Sequence, residues 1–426
     1  MTYHNAVKYV RNAPNVTPKN SAAADRINAL CKTLGNPMRH IKYVRLAGSN
    51  GKTICARMLT SILNKADISN GCISMPIREE IRENILINGE PISMDETVEY
   101  ISAVKAAVAE INADTQNGFE GRFSPTAHEI LLFAALLAFS AHKCSVCLIE
   151  GDHKIEDPSR FLPVSPFAAV ICGIIPSSNK REITRIRSYV SKGMREIVAA
   201  PQDEKAFSVI QETCAAAGCR PTQANVSGVK ITRLALGGTD FTYKGNEYTL
   251  QVCGKFQTAN AIIAIESANM LVRYGHKIDQ KHIADGLAAL KAPCKFEILS
   301  VFPTIIADST YAPVAIEAVC DSLADFRETT GDRIRLCLPD GELIPQYISA
   351  LSTRGYSIDK ISALIIEGVD EEERGAVEIP LTLSKTPKLT AKDALCDLGN
   401  DCMLLVSGPS NFTTLMRRQL LDLLGF

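Results

Sequence analysis

The segment Tyr43–Met58, YVRLAGSNGKTICARM, constrains the fold of this chain more than any other. Val44, Leu46 and Ala47 read as a buried strand that runs into Gly48-Ser49-Asn50-Gly51-Lys52-Thr53, and helix formers follow. Glycines let the backbone curl until several N–H groups face one point, and the next helix aims its positive end at the same point. Lys52 adds a full charge, and Thr53 offers a hydroxyl to Mg²⁺. This is the chemistry of a polyphosphate cradle, and most proteins that carry one bind ATP or GTP. The competing reading is an ordinary strand–turn–helix corner with a chance Gly-Lys-Thr. The strand before and the helix after favour the cradle.

At 426 residues the chain is too long for a single core, so two domains are expected. A hydrophobic fraction of 46% with 22% charged residues fits a soluble globular enzyme. The net charge of −1 leaves no basic excess for a nucleic-acid backbone or an anionic membrane surface. The first residues, MTYHNAVKYVRNAPNV, hold no long apolar run, which argues against a signal peptide and for the cytoplasm. Fourteen cysteines in such a chain are expected to stay reduced. Cys144 and Cys147 form a C-x-x-C pair, but KCSVCLIE reads as a buried strand rather than as a zinc or redox site.

Residues 1–40 read as helical, with a stop at Leu34-Gly35-Asn36-Pro37. Strands are expected at Ile68–Pro76, Ser145–Glu150 and Ala168–Ile175, and helices at Met94–Asn112 and Thr126–Ala141. Ile77–Ser93 reads as a polar loop with a turn at Asn88-Gly89. Strands alternating with helices imply a parallel sheet covered on both faces. Val229–Val252 alternates like a β-meander, and helices follow at Asn260–Tyr274 and Lys281–Leu290. Ala292-Pro293-Cys294 reads as a linker. Beyond it, strands at Thr304–Asp308, Arg335–Leu338, Ala363–Glu367 and Met403–Ser407 make a second α/β unit. The expected architecture is therefore α/β: a central P-loop domain over residues 1–293, with a parallel sheet and a small β-meander, and a smaller Rossmann-like domain over residues 294–426.

In order along the chain, these segments resemble the folylpolyglutamate synthase/dihydrofolate synthase branch of the Mur ligase superfamily. GSNGKT resembles the family's GTNGKG or GTNGKT, and IRENILINGEPIS its ERIRVNGEPIS loop. PTAHEILLFAALLAF is similar to its TYFE…TALAF helix, and VSKGMREIVAAPQ to EKAGI…PQ. GKFQTANAIIAIESA resembles GxHQxxNAxxAxxA, CKFEIL with PTIIADSTYAP resembles GRFExL…DGAHNP, and VSGPSNFTTLMRRQL resembles the closing VTGS…EVRRLL.

The resemblance implies an ATP-dependent ligase that joins a small-molecule carboxylate to an amino-acid-like amine through an acyl phosphate, as a monomer, with ATP and Mg²⁺. It implies nucleotide contacts from Gly48, Ser49, Asn50, Gly51, Lys52 and Thr53. Thr53 and Glu150 would hold the metal. Lys192 stands where the family carries a carbamylated, metal-holding lysine, and with Lys52 it is the implied catalytic group. Asn260 falls near the base, although Asn260 or Thr258 could equally be a helix cap. Lys295 replaces an arginine that reaches ATP, which keeps the charge and loses the planar fork. Asp308 opens the segment that lies near ribose and phosphates.

Four histidines of the family pattern are replaced: by Ile77, by Ser177 or Ser178, by Phe256, and within Ser309–Ala312. Asp152, His153 and Lys154 are new polar groups beside Glu150. A kept phosphate cradle with altered histidines fits two readings. One is a ligase with an acid other than folate. The other is a nucleotide-binding paralogue that has lost ligation.

Overall fold

A computed structural model describes residues 1–14, 23–39, 41–78, 80–114, 119, 122–151, 157–174, 180–310, 313–339, 343–364, 381–384, 391–396 and 398–425. The chain divides into two compact units, residues 1–228 with 260–287, and residues 229–259 with 288–426. The segment 229–259, which holds the meander, groups with the second unit.

The first unit is built on strands β1 (Tyr43–Ala47), β2 (Asn70–Ile73), β3 (Ile85–Ile87), β4 (Glu90–Pro91), β5 (Val146–Glu150), β6 (Ala168–Ile171), β7 (Glu196–Ala199) and β8 (Arg220–Gln223). They form one sheet in the order β4-β3-β2-β5-β1-β6-β7-β8. Pairing is parallel from β2 to β8 and antiparallel at β3 and β4. β1, β5 and β6 are buried along their whole length, as parallel strands covered on both faces must be. The helix Ala127–Ala141 is apolar on nearly every face because it packs in the core with Ile73, Ile85 and Ile149.

The connection from β1 to β2 runs one way along the sheet, and the connection from β5 to β6 runs the other way, past β1. This topological switch opens a crevice at the C-terminal end of β1, between the ends of β5 and β6.

Residues 77–93 are not simply a loop. A 3₁₀ turn at Ile81–Asn84 leads into the β3–β4 hairpin, which turns at Asn88 (φ 50°) and Gly89 (φ 85°). The flanking charges hid Ile85 and Leu86, which are buried against β2.

The second unit holds an antiparallel sheet of β9 (Val229–Ala235), β10 (Gly238–Tyr243) and β11 (Asn246–Leu250). It also holds a six-stranded sheet of β12 (Glu297–Val301), β13 (Thr304–Asp308), β14 (Arg333–Leu338), β15 (Ser357–Leu364), β16 (Leu381–Ser384) and β17 (Cys402–Ser407). Its order is β12-β13-β17-β14-β15-β16, parallel except for β12. The described cysteines are all free thiols, and among the described residues no helix is long and apolar enough to cross a membrane.

Candidate phosphate-binding site

The loop Gly48–Gly51 leaves β1 and turns into the helix Lys52–Lys65. Gly48 has φ +111°, and a Cβ there would stand 2.7 Å from the carbonyl oxygen of Cys172. Gly51 has φ +86°, and a Cβ there would stand 2.7 Å from Oδ1 of Asn260. Both glycines are therefore required by backbone conformation and by close approach. Gly51 also takes the N-cap position with no side-chain cap, so the first N–H groups of the helix are left for a ligand. Lys52 is buried, and its Nζ donates to the carbonyl oxygens of Gly48 at 2.9 Å and Ser49 at 3.4 Å. A cation is thus held at the mouth of the loop before any ligand arrives.

Glu150 ends β5 in register with Leu46 of β1, and is 4% exposed. Thr53 Oγ1 donates to Glu150 Oε1 at 2.6 Å. A hydroxyl and a buried carboxylate within one hydrogen bond of each other, beside a phosphate loop, are hard oxygen donors of the kind Mg²⁺ takes. The residues present therefore fit the metal that the loop implies.

Asn260 lies inside the helix Lys255–Arg273, five residues past its start, so neither it nor Thr258 is a cap. Its Oδ1 faces Gly51, and its carbonyl accepts from the Cys55 thiol at 3.6 Å. The first unit thus brings together the loop, Lys52, Thr53, Glu150 and Asn260.

Lys192 lies on another part of the first unit. It sits exposed on a turn before β7, where its carbonyl accepts from Ser165 Oγ at 2.7 Å. β7 runs parallel to β1, so the turn before it lies at the edge where strands begin. The phosphate loop lies at the edge where they end. A five-residue strand such as β1 separates these edges by about 17 Å, at ~3.3 Å per residue. Lys192 is thus placed at the opposite edge of the sheet from the loop. Asp152, His153, Lys154, Ser177 and Ser178 lie outside the described residues.

Sequence reading assigned no role to Asn84. Its buried amide donates to the carbonyls of Ser74 at 2.7 Å and Pro76 at 2.9 Å, and accepts from the Arg78 N–H at 2.9 Å. It holds the loop that leaves β2. Ile77 packs on the apolar core of this unit.

In the second unit, β13 ends on buried Asp308, whose Oδ2 accepts from the Phe296 N–H at 2.7 Å. Lys295 Nζ donates to Ser309 Oγ at 2.7 Å. Burial raises the Asp308 carboxyl above its ordinary range, against a lowering by Thr310 and by the Lys295 charge. Phe256 stacks edge-on against Phe296 with ring centroids 5.9 Å apart.

Because its pKa is raised on folding, Asp308 favours the native state fully below the unfolded carboxylate range. That contribution is lost as pH rises through the folded pKa. Asp308→Asn should therefore gain stability over the wild type between acid and neutral pH. Urea melts across that range test it, and parallel pH profiles for the two proteins would refute it.

No known family model matches the chain. It is 27% identical over 349 residues to a probable bifunctional folylpolyglutamate synthase/dihydropteroate synthase of Halobacterium salinarum, across 76% of this chain and 40% of that one. It is 27% identical over 336 residues to the dihydrofolate synthase/folylpolyglutamate synthase of Mycobacterium tuberculosis, across 72% of this chain and 68% of that one. The chain therefore spans less than half the length of the bifunctional relative and about two thirds of the second. The solved folylpolyglutamate synthase of Mycobacterium tuberculosis complexed with ADP shares the fold, with a TM-score of 0.76 over 98% of both chains at 21% identity.

Proposed function

We propose that the chain is a folylpolyglutamate synthase-like member of the Mur ligase superfamily and, from that premise, an ATP-dependent ligase joining a carboxylate to an amine. The observation that carries this reading is the Thr53–Glu150 pair, set 2.6 Å apart beside a glycine loop that already holds Lys52.

In the proposed reaction the γ-phosphoryl group of ATP passes to an oxygen of the acid, giving an acyl phosphate and ADP. The amine then attacks the acyl carbon, phosphate leaves, and the amine proton is lost to solvent. Phosphoryl transfer depends mostly on positioning and charge neutralisation. Lys52 would supply its ammonium to the β- and γ-phosphates, and the first N–H groups of the helix Lys52–Lys65 would receive phosphate oxygens. Thr53 and Glu150 would hold Mg²⁺, which when bound neutralises charge on those oxygens. Asn260 beside the loop, and Lys295 and Asp308 of the second unit, are assigned to nucleotide contacts from the sequence pattern.

The acid is proposed to differ from folate. Ile77 and Phe256 stand where the family pattern has histidines, and both are committed to apolar packing. The position of Lys192 favours keeping a second reading, a nucleotide-binding paralogue without ligation.

A panel of carboxylic acids and amino acids with Mg·ATP separates the readings. The ligase releases ADP and phosphate only when an acid and an amine are present together. Melting raised by Mg·ATP with no turnover in any mixture would favour the paralogue, and no response to Mg·ATP at all would overturn both.

A further inference from the structure

We infer that Gln202 is a positioning residue for the phosphate loop, acting through the segment Cys172–Ile174. The inference deepens the proposed function and rests on it only for the identity of the ligand.

β6 ends at Ile171, and its ladder with β7 closes with the Ala200 N–H donating to the Ile171 carbonyl at 2.7 Å. Among the described residues, the backbone of residues 172–174 has no strand partner on the β7 side beyond that bond, and the Gln202 side chain supplies one. Its Nε2 donates to the Cys172 carbonyl at 3.0 Å, and its Oε1 accepts from the Ile174 N–H at 3.2 Å. A primary amide offers a donor and an acceptor in the geometry of a peptide group, so it extends the ladder by one rung. The partners also fix which end of the amide is oxygen, because one is a carbonyl and the other an N–H.

These two bonds orient the peptide between them. The Gly173 carbonyl accepts from the N–H of Ser49 at 2.8 Å and of Asn50 at 3.1 Å, a bridge between the segment and the phosphate loop. Gly48 packs so closely on the Cys172 carbonyl that a single added carbon would clash. The loop therefore takes its shape from residues 172–174, and these take theirs from Gln202. Gln202 stands on firm ground itself, between β7 and Asp203, whose side chain caps the helix Glu204–Ala217 by accepting from the Ala206 N–H at 2.9 Å.

Two variants test the role. Gln202→Met keeps the shape and loses both bonds. Gln202→Glu keeps the acceptor, but its carboxylate opposes the Cys172 carbonyl. When protonated, that carboxyl regains one donor and one acceptor. Amide hydrogen exchange read by NMR in the nucleotide-free protein should show protection at Ser49 and Asn50 falling roughly tenfold or more in Gln202→Met. The dissociation constant for Mg·ATP should rise by about tenfold or more, since small misplacements of a preset site are costly. Gln202→Glu should resemble Gln202→Met at alkaline pH and return toward wild-type protection at acid pH, a rescue that a mere packing role would not give.

Unchanged protection of Ser49 and Asn50 in Gln202→Met, or a Gln202→Glu variant indifferent to pH, would overturn the inference. A wild-type protein that shows the protection pattern but binds no Mg·ATP would overturn the proposed function and leave the positioning role standing.

Discussion

Lys52→Ala should fold as the wild type does and lose the rise in melting temperature that Mg·ATP confers. Lys52 opens a helix, where alanine is well tolerated. Its ammonium has only the carbonyls of Gly48 and Ser49 as partners within the loop, so its removal breaks no ion pair there. A ligand at a hundred times its dissociation constant stabilises the native state by about 2.7 kcal/mol. Removing one preset electrostatic partner costs on the order of 10²–10³ in transition-state stabilisation. A comparable loss of affinity would cut the stabilisation to well below ~1 kcal/mol at the same ATP concentration. Differential scanning fluorimetry with and without Mg·ATP reads this directly. Any ADP release should fall by on the order of 10²–10³ in the same variant. A Lys52→Ala protein that gains as much melting temperature from Mg·ATP as the wild type would remove the cradle from the argument.

The loop and Glu150 were legible because both are strand-end features. Once the apolar runs of β1 and β5 are read as parallel neighbours, their C-terminal ends must meet, and with them Thr53 and Glu150. Helix starts were legible for a similar local reason. Ser93 with Glu96 and Thr126 with Glu129 are capping boxes in the sequence and in the structure. β13 was read to the residue, Thr304–Asp308, between Pro303 and a polar stretch.

What escaped depends on three-dimensional placement rather than on spacing. Lys192 lies in a weakly patterned segment, and nothing in that segment says which edge of the sheet its turn occupies. The β3–β4 hairpin was hidden by the charges around Ile85–Ile87. β12 was hidden within a segment singled out for Lys295, whose neighbours Cys294 and Phe296 adopt positive φ before the strand begins. Asn84 and Gln202 bond to backbone atoms of other segments, and such bonds leave no periodicity to detect.

Glu129→Ala should destabilise the first unit by about 3–5 kcal/mol, the cost typical of breaking a buried ion pair on one side. Arg26 and Glu129 are each 2% exposed and meet in a two-pronged pair, Nη2 to Oε2 at 2.8 Å and Nε to Oε1 at 3.1 Å. Without Glu129, the guanidinium keeps the Ser124 carbonyl at 2.6 Å and the Phe123 ring, centred 5.0 Å away, but loses the carboxylate that balances its charge. The same side chain accepts from the Thr126 N–H at 2.6 Å, so the variant also opens the capping box of the helix Ala127–Ala141. Glu129→Gln retains an acceptor for the cap and should cost less, which separates the charge from the shape. Replacing both partners with apolar residues, as in Arg26→Met with Glu129→Leu, should recover much of the loss, because no uncompensated charge is then buried. Chemical denaturation of the four proteins provides the test, and a Glu129→Ala loss below ~1 kcal/mol would show the pair to be far better solvated than its burial indicates. The helix concerned leads directly into β5 and Glu150, so the folding variants should also show weaker Mg·ATP binding in proportion to the looseness of that strand end.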